Sequence, residues 1–168
     1  LTERDTCPTS CHHWEDCYGN NMPFAHRFST DGLTDKLEIE IATLLKKHPQ
    51  GIVIRLHVLG DFYSVDYIKF WERMLFDNPT LCVFGYTGRE LGTDIGNAIH
   101  LLNILYSERW VIRFSRNNES TELGKWFAAE ESFEGKHFDC PEQSGKLPSC
   151  AACGLCWIVQ NTVRFTTH

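Results

Sequence analysis

The stretch GIVIRLHVLGDF, residues 51–62, decides how the rest of the chain is read. Ile52, Val53 and Ile54 open a short apolar run rich in β-branched side chains, and Gly60-Asp61 closes it with turn chemistry. That combination predicts a strand. On both sides the pattern changes to a helical period. Upstream, Leu37, Ile41, Leu44 and Leu45 form one apolar stripe, with Thr34 as its expected cap and His48-Pro49-Gln50-Gly51 as its stop. Downstream, Ser64 caps a second helix with Ile68, Trp71 and Leu75 facing inward, ending near Asn78-Pro79. LCVFGYTGR, residues 81–89, reads as a second strand. Asp94 opens a third helix with Ile95, Ile99, Leu102 and Tyr106 on one side, and WVIRFSRNN, residues 110–118, reads as a third strand.

The order α, β, α, β, α, β implies right-handed crossovers and a mostly parallel sheet. The expected fold is therefore a small α/β domain of three to four strands with crossover helices, resembling part of a barrel. At 168 residues one domain is expected. It divides into a polar, Cys-rich segment 1–30, a βα core 31–118, and a Cys-rich segment 119–168. In the last segment, residues 120–131 read as a short helix capped by Ser120, and residues 162–167 as a final strand.

A short motif recurs. VIRLH at 53–57 returns as VIRFS at 111–115 and, more weakly, as VRFT at 163–166. Alternation along a strand puts Arg55 with His57, Arg113 with Ser115, and Arg164 with Thr166. Three arginines are thus expected on one side of one sheet. Parallel sheets usually bury apolar side chains on both faces, so a row of Arg and His there suggests a polar binding site. The plain alternative is an edge strand with solvated arginines.

Ligands of open α/β sheets gather at the carboxyl ends of the strands. Here those ends carry His57, Gly60, Asp61, Tyr86, Thr87, Arg89, Ser115, Arg116 and Asn117. Arg55, His57, Asp61 and Arg113 are the candidate catalytic residues, suited to a polar or anionic substrate. For Asp61 alone, a helix-entry turn is an equally good reading.

The formal net charge of −6 disfavours nucleic acid as a partner, since a phosphate backbone needs a basic stripe. No apolar run approaches the ~20 residues that span a bilayer, so no membrane is expected. No leader with basic and apolar regions opens the sequence, which makes the cytoplasm the expected compartment. Position 1 is Leu, so a truncated start remains open.

Eight cysteines are many for such a chain: Cys7, Cys11, Cys17, Cys82, Cys140, Cys150, Cys153 and Cys156. Disulfides, zinc and iron–sulfur clusters are the three physical explanations. Two-residue spacings suit one metal centre better than structural disulfides. Cys150-x2-Cys153-x2-Cys156, with Cys140-Pro141 as an outlying fourth, is iron–sulfur spacing more than zinc spacing. Cys7-x3-Cys11-x5-Cys17 supplies three thiolates. They can hold a 4Fe–4S cluster with one iron open to chemistry. Alternatively, His12, His13 or His26 completes a zinc site. A third arrangement is one compact region served by all seven cysteines, with some of them idle. Cys82, inside an apolar strand, reads as a small core residue.

The stretches CPTSCHHWEDCYGNNMPFAHRF, VIRLHVLGDFYSVDYIKFWERML, VFGYTGR and CPEQSGKLPSCAACGLCW together resemble the phage gene-product-88 type proteins and their bacterial relatives, over roughly residues 5 to 168. The resemblance implies Cys7, Cys11, Cys17, Cys140, Cys150, Cys153 and Cys156 as the ligand set, and implies no particular activity. A more distant likeness is to radical S-adenosylmethionine enzymes, which also place a Cys trio before βα repeats. That likeness would add S-adenosylmethionine as a cofactor at the trio. The chain departs from their pattern in its x5 spacing, in Asp16 before Cys17, and in lacking a Gly-Gly-Glu stretch after the first strand.

The expected function is an iron–sulfur protein with one or two 4Fe–4S clusters, of redox or radical type, acting on a small molecule or a protein partner. The alternative is a zinc-stapled binding module for nucleic acid or protein.

Overall fold

The computed structural model describes residues 1–11, 13–115, 124–129, 134–158 and 160–166. The N-terminal segment is mostly loop, with a single helical turn α1 (Glu3–Thr6) and a 3-10 turn at Tyr18–Asn21. The expected alternation follows: α2 (Leu33–Lys47), β1 (Ile52–Leu56), α3 (Val65–Asp77), β2 (Leu81–Thr87), α4 (Asp94–Leu105) and β3 (Trp110–Ser115). Ser64 caps α3 through a hydrogen bond from the Tyr67 amide. Thr93, one residue before the expected Asp94, caps α4 by accepting from the Gly96 amide. Gly32, not Thr34, precedes α2 as its cap residue.

The sheet is larger than expected. β4 (Phe127–Ala129), β5 (His137–Asp139) and β6 (Thr162–Arg164) extend it to six strands, all parallel, in the order β1-β2-β3-β4-β6-β5. Of the helix expected over 120–131, residues 124–126 form a turn and 127–129 a strand, while 120–123 and 130–131 lie outside the described residues. Two further short helical turns, α5 (Cys150–Cys153) and α6 (Leu155–Ile158), precede β6. Among the described residues no helix is long and apolar enough to cross a membrane.

The two faces of the sheet are covered differently. Leu56, Val83, Ile112, Phe114 and Phe127 point to one face and join a single buried cluster with Ile41 of α2, Trp71 and Leu75 of α3, and Ile99 of α4. Right-handed crossovers between sequential neighbours place successive helices on one side, and here all three long helices share it. Asn103 of α4 is fully buried there, and its side-chain amide exchanges two hydrogen bonds with the main chain of Ile112, at 2.8 and 2.9 Å. Removing that partner would strand two buried main-chain groups.

The other face receives the Cys-rich tail. Trp157 packs on Phe84 with ring centroids 4.5 Å apart, and Phe165 meets Tyr86 edge-on at 5.2 Å. Ala128, Cys140 and Val163 are the buried centre of this second, smaller cluster. Coverage is incomplete toward β1, where Val53 is 50% exposed.

Candidate functional site

The carboxyl ends of β1 and β2 meet at Asp61. Gly60 turns the chain with φ +80°, which an L side chain rarely adopts. This brings Asp61, 3% exposed, under the end of β2. Its Oδ1 accepts from Thr87 Oγ1 and from the Phe62 amide, both at 2.7 Å, and its Oδ2 accepts from the Gly88 amide at 2.8 Å. Burial nevertheless raises the carboxyl pKa to about 6, against the opposing pull of those hydrogen bonds and of Arg89.

The N-terminal segment is seated on this corner. The Asp61 amide donates to Thr6 Oγ1 at 3.1 Å. Arg89 donates from Nε to the Phe62 carbonyl at 2.8 Å and from Nη2 to the Thr6 carbonyl at 2.5 Å. The next residue is Cys7, whose thiol is pushed up to about 12 by burial, with Asp61, Cys11 and Cys17 adding to the effect. Burial raises Cys11 too; its hydrogen bond from the His13 main chain opposes this, and Asp61 and Cys17 reinforce it. A methyl placed on Gly88 would meet Cys11 Sγ at 3.5 Å and Asp61 Oδ2 at 3.6 Å. Cys7 and Cys11 therefore lie beside the strand-end carboxylate.

The second group lies on the tail face of the sheet. Tyr86 Oη donates to Cys156 Sγ at 2.7 Å, and Arg113 Nε donates to the Cys156 carbonyl at 2.8 Å. Burial raises the Cys156 thiol; the Tyr86 hydroxyl and Arg113 oppose it, while Cys140 and Cys150 reinforce it. Cys150 is likewise raised by burial, with Arg55 opposing and Glu142, Cys140 and Cys153 adding. Cys156 packs against Cys140, and Cys153 and Arg55 stand near Cys150. Cys82 takes part in neither group.

Arg55 and Arg113 do share a face. Arg55 is level with Phe84, and Tyr86, two residues on, is level with Arg113. Three expectations need correction. Arg164 is level with Ala129, which puts it on the face opposite Arg113, where it pairs with Asp139 at 2.8 Å. His57 does not continue the alternation of Arg55, because β1 ends at Leu56. Its ring packs instead in the helix-side core, 4.8 Å from Phe62 and 5.8 Å from Tyr67. Arg113 is fully buried, and its Nη1 donates to the carbonyls of Phe127 and Asn161 at 3.2 and 2.9 Å. It holds the tail to the sheet. Of the candidate fourth ligands of the trio, His13 lies 3.4 Å from Asp16 on the surface, His26 is exposed, and His12 lies outside the described residues, as do Arg116 and Asn117.

Among the described residues, no three His, Cys, Asp or Glu side chains already stand as a group that could hold a metal ion. The donors fit a soft metal in kind, being mostly thiols. Thr6 and Gly88 were not singled out from the sequence. Neither carries a local signal, since each matters only through contacts with residues far along the chain.

Fold and site together define a cysteine-rich, all-parallel α/β protein with one thiol group at its strand ends and another on the open face of its sheet. The chain is similar to the Gene 88 protein of Mycobacterium phage L5, 24% identical over 137 residues that cover 68% of this chain and 54% of that protein. It thus spans about half the length of this curated relative. No family model matches the chain, and no solved structure matches it. The radical S-adenosylmethionine likeness has no counterpart in these comparisons.

Proposed function

We propose that this chain is an iron–sulfur protein of the gene-product-88 type, with Cys7, Cys11 and Cys17 holding a reactive centre and Cys140, Cys150, Cys153 and Cys156 a structural or electron-relaying one. One observation carries the reading: a cysteine of each cluster borders the same short segment, Tyr86-Thr87-Gly88, with Cys156 Sγ accepting from the Tyr86 hydroxyl and Cys11 Sγ lying against Gly88. Bound iron–sulfur clusters would supply one-electron chemistry.

The chain's own residues have definable parts. Asp61 fixes Thr87 and Gly88 at the end of β2, the surface against which Cys11 lies. Arg89 and Thr6 seat Cys7 against the strand ends. Arg55, exposed on the tail face beside Cys150, is the cationic group placed to meet a polar or anionic substrate. Arg113 and Tyr86 anchor the tail. His57 packs with Phe62 and Tyr67 on the helix side of the sheet.

Elemental and sulfide analysis of the anaerobically purified protein tests this. The expected result is iron with acid-labile sulfide and visible thiolate-to-iron absorption. Zinc without sulfide would replace the reading with a zinc-stapled binding module, and protein free of both metals would overturn metal binding altogether.

A further inference from the structure

Tyr86 and Arg113 are register partners on β2 and β3, and both reach the same residue of the tail. Tyr86 Oη meets Cys156 Sγ at 2.7 Å; Arg113 Nε meets the Cys156 carbonyl at 2.8 Å and its Nη1 reaches on to Asn161. Cys156 belongs to α6, four residues long, which is too short to hold its own shape. Its neighbour Trp157 packs on Phe84, two residues before Tyr86 on the same face of β2. Cys150 and Cys153 are arranged differently. They lie on α5, capped by Ser149 and separated from α6 by Gly154 at φ +66°. Among the described residues the sheet donates no hydrogen bond to either of their sulfurs.

We infer that Tyr86 and Arg113 form a two-point grip that makes Cys156 the sheet-anchored thiolate of the C-terminal centre, with Tyr86 the positioning residue whose hydroxyl tunes that sulfur. The inference rests on the metal-binding reading above and deepens it. A hydrogen bond to a ligating sulfur draws electron density from it and weakens its donation to the metal. Arg113 acts on the main chain, so it places the sulfur without changing its electronics. Tyr86 does both. The four thiols of this group are therefore inequivalent, and Cys156 is the weakest electron donor among them.

Two substitutions in the full chain, purified anaerobically, test this. Tyr86→Phe removes only the hydroxyl. Replacement of Tyr86 by 3-fluorotyrosine keeps it and makes it a stronger donor, which also guards against a variant that simply fails to fold. The readout is the thiolate-to-metal charge-transfer absorption, of iron as isolated or of cobalt(II) exchanged into a zinc protein. The expected result is a shift to lower energy in Tyr86→Phe and to higher energy with 3-fluorotyrosine. Metal-loaded variants whose bands stay at the wild-type position, or move in the same direction, overturn the inference alone. A wild-type protein without metal overturns the metal-binding reading, and the inference with it.

Discussion

Thr87 Oγ1 donates a 2.7 Å hydrogen bond to Asp61 Oδ1, tying the end of β2 to the loop that leaves β1. The residue before it, Tyr86, points to the opposite face and reaches Cys156. The residue after it, Gly88, donates to Asp61 and lies against Cys11. Three consecutive residues thus touch both cysteine groups. The alternation of a strand is what allows neighbours in sequence to serve opposite faces.

That junction depends on β1 and β2 lying close together. Gly85 is level with Leu56, and a Cβ there would stand 1.6 Å from the Leu56 carbonyl oxygen and 2.6 Å from its carbon. Both are main-chain atoms, so the strand itself must move. Gly85→Ala is expected to cost about 3 kcal/mol or more, beyond the ordinary penalty of overpacking. Urea denaturation checks this, through a lowered midpoint.

Arg89 holds the N-terminal segment through the Thr6 and Phe62 carbonyls. Hydrogen bonds from a charged donor contribute about 1.5–3 kcal/mol. Arg89→Ala is expected to loosen the segment by about that amount without melting the sheet. Hydrogen exchange at the Cys7 and Cys11 amides, which bond to Glu3 and Pro8, should accelerate while the β2 and β3 amides stay protected. Equal acceleration throughout would contradict a local clamp.

His57 predicts a pH dependence of stability. Burial pushes its pKa down to about 3 from 6.5; Nε2 lies 3.2 Å from Tyr67 Oη, and Nδ1 is buried with no hydrogen-bond partner. The unfolded chain takes up a proton below about 6.5 that the folded chain refuses until about 3. Stability is therefore lost as pH falls through that window and is unaffected by this group above it. His57→Gln, which cannot take the proton, should flatten the acid limb of a plot of unfolding free energy against pH. An unchanged slope between pH 6 and 4 would show that other groups set it.

The two cysteine groups predict separable metal contents. Cys17→Ser is expected to lower metal in the purified protein while leaving the C-terminal group loaded. Cys153→Ser should do the reverse. Element-resolved mass spectrometry of the native variants reads the stoichiometry directly. Complete loss of metal from either single variant, with the fold intact by circular dichroism, would indicate one shared centre.

The long helices and the first three strands were legible because their signals are local. Ile68, Trp71 and Leu75 recur at helical spacing, and the β-branched run at 52–54 favours a strand. The three-residue strands Phe127–Ala129 and His137–Asp139 were not legible, since so few residues cannot display an alternation. The arginine row failed at Arg164 for another reason. A repeated motif sets spacing within a strand, whereas the face a residue meets also depends on the register between strands. Pairing Ala128 with Val163 puts Val163, not Arg164, on the face of Arg113.

By itself the sequence determined an α/β alternation, parallel strands, and two clusters of thiols at spacings suited to soft metals, because each is a matter of residues near one another along the chain. Only the tertiary structure decided where those clusters sit. Asp61 lies 55 positions from Thr6 and 26 from Thr87, and Tyr86 lies 70 from Cys156. Such contacts arise from crossover connections that return each strand end to the same corner, and from a tail that folds back over the face the helices leave open. No local pattern encodes them; they follow from burying two unlike faces of one twisted sheet at once.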